Sequence, residues 1–341
     1  MSNFGLFVNP KDGGKSIEIT KDRYPLTFLG HVKVWPWKGA NRDEWYDHRK
    51  YEKIPGMDKY DVVIVPTALT HFWAYGNVQM LKIGRYWIDK DIFRCEYSYY
   101  SRDQGYLPGS DGYSHFFLYG TLKENTKESQ GLFLNNGVSD AIDNFRSITT
   151  DNSVAYCVFR KKIDIQLDSK GHGYWPLPAD IPNRNDALVF LRPESSSQTV
   201  RYDRPNNRII TRGGGAIYVV IFSYGLALKP VDGLTIWNKD GKVVFNSEYV
   251  PFFNNGHTIE TRNNVATSSF STPMFSMDMP NTWLENERIN INCYLSGFRV
   301  EGNKLIATRM WTSDFYAGYA NQEYNKVVYS SAYCIDFNDY F

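Results

Sequence analysis

The sequence is poor in residues that cross-link small proteins or bind metals. Its four cysteines, Cys95, Cys157, Cys293 and Cys334, lie far apart and lack the paired spacing of a zinc site or a redox motif. The six histidines are also scattered, and none stands at ligand spacing from another. The sequence therefore predicts no metal site, no bound cofactor, and free thiols that are mostly buried.

Long apolar runs are missing too. The run AIYVVIF at residues 216–222 has the length of a strand, whereas a membrane-spanning helix needs about 20 apolar residues. The first residues, MSNFGLFVNPKDGG, lack the charged and then apolar order of a secretory signal. We therefore expect a soluble protein that is synthesised in a cytoplasm and is not inserted in a membrane.

Neither sign of charge dominates, since 38 Lys and Arg stand against 37 Asp and Glu. Binding to nucleic acid or to an anionic membrane needs a basic patch. The nearest candidate, RKYEK at residues 49–53, is interrupted by Glu52 and preceded by Asp43, Glu44 and Asp47. This mixture is typical of a solvated loop. We expect no nucleic-acid partner.

Catalytic motifs are also missing. The sequence has no G-x-S-x-G, no H-E-x-x-H, no P-loop and no EF-hand spacing. The glycine-rich RGGG at residues 212–215 precedes a strand, whereas a phosphate-binding loop follows a strand and begins a helix. The sequence predicts no catalytic residue and no enzyme. One alternative stays open, a β-rich glycan hydrolase with two facing carboxylates, for which Asp103 and Asp111 are the pair to inspect.

Aromatic residues, in contrast, are abundant and make up 16% of the chain. Tyr and Phe favour strands, and Tyr and Trp also favour interfaces. Short runs rich in β-branched and aromatic residues recur between turn residues, among them DVVIVP, ALVFLRP, AIYVVIF, RININCYL and KLIATRMW. Helical patterns are confined to residues 41–54 and 137–148. The predicted fold class is mainly β, with short helices and long loops.

The region at residues 169–186 is rich in proline and has no periodicity, which is typical of a linker. It divides the chain into an N-terminal β-rich domain with aromatic loops, residues 1–180, and a C-terminal β-sandwich-like domain, residues 181–341. The expected architecture is thus two β-sandwich-like domains. A long connection within one sandwich is the alternative.

One hairpin pattern occurs twice. GLFVNPKDGGKSIEI at residues 5–19 and GLTIWNKDGKVVFNS at residues 233–247 both alternate, carry Lys-Asp-Gly and alternate again. Asp-Gly supplies the positive φ of a tight turn, so each copy predicts a strand, a turn and a returning strand. The match extends to Pro25 and Pro251. GFRVEGNKLIA at residues 297–307 is a third, looser version. We expect each hairpin to begin a small β-module.

The first copy resembles the (Y/F)GLxV opening of uncharacterised tail-associated structural proteins of bacteriophages and prophages. Phe4-Gly5-Leu6 and Arg23 match that opening, and GKVVFNS at residues 241–247 is similar to its Phe-Asp-Ser ending. ALVFLRP at residues 187–193 looks like another element of these proteins. The resemblance implies a virion structural protein of the tail or its distal complex. Such a protein would form homo-oligomers and assemble with other virion proteins after synthesis in the cytoplasm of a bacterial host.

Aromatic loops are the candidate contact surfaces, because exposed Trp and Tyr side chains serve interfaces with proteins and glycans alike. The sequence leaves two alternatives for what these loops bind: neighbouring subunits, or a host surface glycan. The second would make the chain a carbohydrate-binding adhesin or receptor-binding module for host attachment. The candidate residues are Trp35, Trp37, Trp45, Tyr97, Tyr99, Tyr100, Tyr106 and Tyr113.

Overall fold

A computed structural model of the chain describes residues 6–9, 16–20, 23–34, 49–75, 77–99, 114–123, 131–134, 146–149, 154–238, 240–278, 281–287, 290–317 and 326–341. The helices in these ranges are 3-10 turns of three residues: Met57–Lys59, Arg184–Asp186, Arg204–Asn206 and Phe337–Asp339. All other regular elements are strands, so the predicted mainly-β class is confirmed. No helix in these ranges is long and apolar enough to cross a membrane.

The strands are numbered in chain order. Those before residue 130 are β1 (Leu6–Val8), β2 (Ile17–Ile19), β3 (Thr27–Val34), β4 (Arg49–Lys53), β5 (Tyr60–Pro66), β6 (Thr70–Tyr75), β7 (Asn77–Asp89), β8 (Ile92–Tyr99) and β9 (Ser114–Leu122). The next are β10 (Gly131–Leu134), β11 (Arg146–Thr149), β12 (Tyr156–Asp164), β13 (His172–Pro176), β14 (Leu188–Pro193), β15 (Thr199–Asp203), β16 (Arg208–Arg212) and β17 (Ala216–Ser223). The last are β18 (Thr235–Trp237), β19 (Val243–Asn246), β20 (His257–Glu260), β21 (Val265–Thr267), β22 (Pro273–Ser276), β23 (Asn281–Glu287), β24 (Asn290–Glu301), β25 (Lys304–Ala317), β26 (Lys326–Tyr329) and β27 (Ser331–Asp336).

Among the strands of the described ranges, one arrangement occurs three times. Each copy begins with an antiparallel hairpin and contains an inner sheet of three strands. In this sheet, the strand that comes last in the chain pairs with both of the others and lies between them. The hairpins are β1–β2, β10–β11 and β18–β19. The three-stranded inner sheets have the spatial orders β3-β9-β5, β12-β17-β14 and β20-β27-β22. We call the repeats unit 1 (residues 6–123), unit 2 (131–228) and unit 3 (234–341).

Each unit also contributes strands to an outer sheet. Unit 1 has the four-stranded sheet β4-β8-β7-β6. The outer strands of units 2 and 3 form one sheet, β13-β16-β15-β24-β23-β26, with β25 beside β24 and β21 beside β25. The inner sheets of units 2 and 3 are likewise joined, because β14 pairs with β22. Phe116 packs in one cluster with Phe93 of the unit 1 outer sheet, and Ile221 packs with Ile209 of the larger one.

A central core lies between the inner sheets. Its members come from all three units and include Tyr119 of β9, Phe222 of β17 and Tyr333 of β27. Successive side chains along a strand point to opposite faces of the sheet. In β9, Phe117 belongs to the central core, whereas Phe116 belongs to the outer layer, the apolar layer between the inner and outer sheets. A strand buried on both faces is apolar throughout, which explains the continuous runs of β14 and β17. The sheets surround this core in a propeller-like arrangement.

Three backbone segments, one from each unit, close a ring of hydrogen bonds in the central core. The amide of Leu26 donates to the carbonyl of Phe252 at 2.7 Å, the amide of Phe252 donates to the carbonyl of Ala155 at 2.8 Å, and the amide of Ala155 donates to the carbonyl of Leu26 at 3.1 Å. All three residues are buried. Each follows the hairpin of its unit by a few residues. The ring therefore fixes the units against one another where each hairpin leads into its inner sheet.

The two predicted hairpins are confirmed as β1–β2 and β18–β19, and each begins a unit, but these units share one core. Ile19 of the first and Phe245 of the second are fully buried in the same central core. Their registers also differ, because a bulge follows Ile236. The match at the prolines reflects a shared role, since the segments at residues 24–27 and 250–253 are both members of the backbone ring.

The third predicted hairpin, residues 297–307, is confirmed as an antiparallel hairpin formed by the adjoining ends of β24 and β25, but it lies in the outer sheet and does not begin a unit. The topological third copy is β10–β11, whose GLFLN at residues 131–135 repeats the GLFVN of residues 5–9. Residues 135–145 separate its strands in place of an Asp-Gly turn. The turn pattern that identified the other two copies is therefore absent from this one.

Both predicted helices are wrong where the structure describes them. Arg49–Lys53, which was also expected to be a solvated loop, is strand β4 and pairs with β8. Arg146–Thr149 is strand β11 and pairs with β10. Cross-strand pairing outweighs the weak helical propensity of these short segments. Residues 41–48 and 137–145 lie outside the described residues.

Strand pairing runs across the predicted domain boundary. Strands β12 and β13 precede residue 180, yet β12 pairs with β17 and β13 with β16. The region at residues 169–186 contains β13 and the turn that leads to β14, both within unit 2. The division into residues 1–180 and 181–341 stays a prediction.

The close approach of β24 to β15 yields a stability prediction. A Cβ on Gly297 would lie 2.6 Å from the carbonyl oxygen of Val200 and 2.6 Å from the sulfur of Met310. We expect Gly297→Ala to lower the free energy of unfolding by about 1–3 kcal/mol, because the neighbouring strand must move. Gly30→Ala is the control, since its Cβ would meet only Ile54 Cδ1 at 3.9 Å. Urea unfolding compares the two, and equal stabilities would contradict the prediction.

Candidate functional site: a polar junction of the three units

Most of the predicted contact residues lie outside the described residues: Trp35, Trp37, Trp45, Tyr100, Tyr106 and Tyr113, together with the carboxylates Asp103 and Asp111. Tyr97 and Tyr99 lie in β8, where they pair with Ile83 and Lys82 of β7. Their role as a contact surface stays a prediction. The structure directs attention to a different set of side chains.

Two histidines that are far apart in sequence meet on the inner sheet of unit 1. Antiparallel pairing of β3 with β9 places His31 opposite Phe117 and Lys33 opposite His115. The two imidazoles are therefore diagonal neighbours, and His31 Nε2 lies 2.9 Å from His115 Nδ1. His115 is buried, so this contact is shielded from water. Strand register alone brings the pair together.

Unit 2 contributes a carboxylate to this pair. Asp186, in the 3-10 turn before β14, places Oδ1 at 2.8 Å from His31 Nδ1. Its other oxygen accepts a hydrogen bond of 3.3 Å from the Tyr224 hydroxyl, and Lys33 Nζ lies 3.6 Å from Oδ1. The side chain of Asp186 therefore connects the inner sheet of unit 1 to the start of the inner sheet of unit 2.

A buried ion pair connects units 2 and 3. Arg204 Nε lies 2.6 Å from Asp278 Oδ2, and both side chains are at most one-tenth exposed. Arg204 also donates to the carbonyls of Asn185 and Ala187, on either side of Asp186 in the chain. Its hydrogen bonds hold the turn that carries the carboxylate for His31.

The contacts return from unit 3 to unit 1 through Thr67. Its hydroxyl donates to Asp278 Oδ2 at 2.8 Å, and the Asp278 amide donates to the Thr67 carbonyl at 2.7 Å. The Thr67 amide in turn donates to the carbonyl of His115 at 3.1 Å. The polar contacts thus form a closed circuit through all three units. We call its six residues the polar junction: His31, Thr67, His115, Asp186, Arg204 and Asp278.

An aromatic ring lies inside this circuit. The imidazole of His31 stacks on Phe117 with ring centroids 4.2 Å apart and planes 12° apart. The guanidinium carbon of Arg204 lies over the same ring, 4.9 Å from its centroid. Phe117 also belongs to the central core. The polar junction therefore borders directly on the apolar centre of the molecule.

Burial sets the charge state of the junction. Desolvation lowers the pKa of His31 to about 4, although the hydrogen bond with Asp186 acts in the opposite direction. The hydrogen bond from His31 lowers the pKa of Asp186 to about 2. At neutral pH His31 is therefore uncharged and Asp186 is ionised. The junction can therefore hold a proton between His31 Nε2 and His115 Nδ1, and its side chains connect the three units.

A second polar cluster pairs a cysteine with a histidine. Cys334 Sγ lies 3.3 Å from His257 Nε2, and these residues face each other on β27 and β20. Burial raises the pKa of Cys334 to about 11, so its sulfur is a thiol at neutral pH. Nucleophilic catalysis needs the thiolate. Cys334 therefore packs in an apolar layer outside the central core, as the buried Cys95 does, whereas the buried Cys157 lies in the central core.

Across the ranges that the structure describes, no group of three or more His, Cys, Asp or Glu side chains is arranged to hold a metal ion. The exposed large apolar side chains of the same ranges are Leu167, Tyr174 and Trp237. Trp237 lies on the β18–β19 hairpin and is 49% exposed. Tyr174 lies on β13, where the Arg208 guanidinium stacks 4.5 Å from its ring centroid. Tyr174 and Trp237 are thus exposed aromatic side chains that the sequence analysis did not single out.

Comparison with known proteins places the chain in one family. The model of a family of unknown function, DUF6453, matches residues 5–316. The chain belongs to this family. The match begins beside the first hairpin and ends in β25, so it spans parts of all three units. No curated protein and no solved structure matches the chain.

The sequence did not single out the polar junction of this DUF6453 member. Its residues are separated by up to 247 positions, from His31 to Asp278, and become neighbours only through sheet pairing. One signal was present: both histidines lie in strands that are mostly apolar, TFLGHVKV and SHFFLYGTL. A polar side chain inside a buried strand needs a partner. That rule predicts a partner without identifying it.

The buried ion pair gives a prediction about stability. Asp278→Asn removes the carboxylate charge from beside the buried Arg204 guanidinium and keeps the size of the side chain. We expect the free energy of unfolding to fall by about 3–5 kcal/mol, because the guanidinium then stays desolvated without this counter-charge. Arg262→Gln is the control, since the Arg262–Glu260 pair is exposed to solvent. Urea unfolding at pH 7 should show a clear loss for the first variant and almost none for the second.

Proposed function

We propose that the chain is a structural protein of a bacteriophage virion, in the tail or its distal complex, that acts by assembling with other virion proteins. The supporting observation is the hairpin that resembles the opening of phage tail-associated proteins. That hairpin type stands at the start of each of the three units. The proposal includes no catalytic role.

The three-unit architecture suits such a part. Oligomeric assemblies are built from repeated contacts between symmetric neighbours, and the affinity comes from buried surface rather than from charge. Here three related units share one core, and their outer sheets pack in separate apolar layers outside it. The net charge of +1 also agrees with contacts that depend on shape and apolar area.

We further propose that the sheets group into two sandwich-like bodies. One is the inner and outer sheet of unit 1, which enclose their own apolar layer. The other is the joined inner sheet and the joined outer sheet of units 2 and 3, which enclose a second layer. The central core would then be the interface between the two bodies.

Location in the particle tests the main proposal. An antibody against the chain should label particles of the phage or prophage that encodes it at one fixed place along the tail in negative-stain images. Label at the tail tip would identify a distal component, and label along the tube would identify a tail-tube component. Absence of label from intact and detergent-opened particles, with the chain present in the lysate, would contradict the proposal.

Trp237 should contribute to assembly rather than to folding. Half-exposed tryptophans on protein surfaces are frequent contact residues whose truncation costs about 2 kcal/mol or more of binding energy. We expect Trp237→Ala to leave the melting temperature nearly unchanged and to reduce incorporation into particles at least tenfold. Quantitative immunoblots of purified particles measure incorporation, with Leu167→Ala as the matched exposed apolar control. Equal incorporation of both variants would contradict a contact role for Trp237.

A carbohydrate-binding adhesin is the second candidate, favoured by the exposed Tyr174 ring. Flat aromatic faces stack on sugars, and Arg208 fixes the orientation of this ring. Glycan-array binding by the purified chain that is lost in Tyr174→Ala and kept in Trp237→Ala would favour this candidate. Absence of glycan binding would leave assembly as the function to pursue.

A further inference from the structure

We propose that the polar junction is a proton-sensitive latch, which is closed while His31 is neutral and opens locally, at β3, β9 and the turn that carries Asp186, when His31 takes up a second proton. The inference does not depend on the virion proposal. It rests on the directions of the hydrogen bonds around His31, on the burial of its ring, and on the charges that face it.

The first step is the position of the proton on each imidazole. Asp186 is ionised and can only accept, so His31 Nδ1 is the donor at 2.8 Å. A neutral imidazole has one donor and one acceptor, so His31 Nε2 must accept. The donor to it is His115 Nδ1, at 2.9 Å. The junction thus contains a directed chain from His115 through His31 to Asp186.

The second step is the effect of another proton. The free position on His31 is Nε2, the atom that accepts from His115. Once Nε2 carries a hydrogen, it points at the N–H of His115, and two donors oppose each other across 2.9 Å. The contact survives only if His115 changes its tautomer, which moves the proton of a buried ring. Protonation therefore breaks or reorganises this side-chain contact between β3 and β9.

The third step is the environment of the new charge. The side chain of His31 is only 6% exposed, so water hardly solvates an imidazolium there. Asp186 attracts the charge, whereas Arg204, over the same Phe117 ring, repels it. The titratable and charged groups around His31 are Lys33 on its own strand, His115 on β9, Asp186 before β14, Tyr224 after β17, Arg204 after β15 and, through Arg204, Asp278 after β22.

The pH window follows from the two states of His31. In the closed junction its pKa is lowered to about 4, whereas the pKa of an imidazole released to water returns to its ordinary value of 6.5. The opened form binds the proton more tightly, so acidification favours opening. The stability from neutral His31 is complete above pH 6.5 and is lost as the pH falls toward 4. These values predict about a 30-fold rise in the opened population between pH 7.5 and pH 5.

Hydrogen exchange of the full chain at pH 7.5 and pH 5 tests the latch. After correction for the pH dependence of chemical exchange, protection in β3, β9 and residues 184–188 should fall about 30-fold. Protection in β24 and β25, away from the junction, should stay constant. A uniform loss of protection across all strands would indicate global unfolding and would overturn the proposal.

Two variants isolate the titrating group. His31→Gln keeps a hydrogen-bonding side chain that does not titrate, and it should abolish the pH dependence of exchange at the junction. His257→Gln is the matched control, because burial also lowers the pKa of His257 but the residue lies on β20, outside the junction. It should behave like the natural chain. A pH dependence that persists in His31→Gln would overturn the proposal.

A spectroscopic measurement on the unchanged chain covers the case in which His31→Gln fails to fold. Imidazole nitrogen spectra of selectively labelled histidine should show the Nδ1–H tautomer for both His31 and His115 at pH 7.5. The His31 signals should titrate with a midpoint near pH 4, at the lower end of the pH range over which exchange protection in β3 is lost. A midpoint near 6.5, or an Nε2–H tautomer of His31, would overturn the proposal.

Discussion

The ring of hydrogen bonds among Leu26, Ala155 and Phe252 is the constraint on which the rest of the fold depends. Each amide and carbonyl in it is buried in an apolar core, where an unpaired backbone group costs about 1–3 kcal/mol. No two of the segments can complete the ring without the third. The three units must therefore be in place together before the central core is satisfied. Each hairpin can form by itself, but the central core is completed only when all three units are in place.

The polar junction repeats this three-way contact with side chains. His31 and His115 come from unit 1, Asp186 and Arg204 from unit 2, and Asp278 from unit 3. Apolar packing alone tolerates small rotations of one sheet over another. Hydrogen bonds between buried charges do not, because a small displacement leaves a desolvated group unpaired. The junction therefore specifies how the inner sheets are oriented, at the cost of making that orientation sensitive to protonation.

Sequence patterns predicted the strands well because each strand carries its own evidence. The continuous apolar run AIYVVIF predicts a strand that is buried on both faces. This run forms β17, which is buried between the central core and an outer layer. Relations between strands were much harder to predict. The β10–β11 hairpin lacks the Asp-Gly sequence of the other two, so its kinship with them rests on GLFLN at residues 131–135. His31 and His115 are connected only by the register of β3 with β9, which no local pattern encodes.

The units share a topology but are not interchangeable. Each residue of the polar junction has its role in one unit only, so a trimer of identical units would place three histidine pairs around the core and lack a consistent set of partners. One chain with three diverged units can instead give each side chain a single partner. The outer sheets diverge in the same way: four strands in unit 1, and a joined sheet in units 2 and 3. Under the proposed function, a part with a threefold-like core would therefore offer three different surfaces to its neighbours, and its orientation in the particle would be unique.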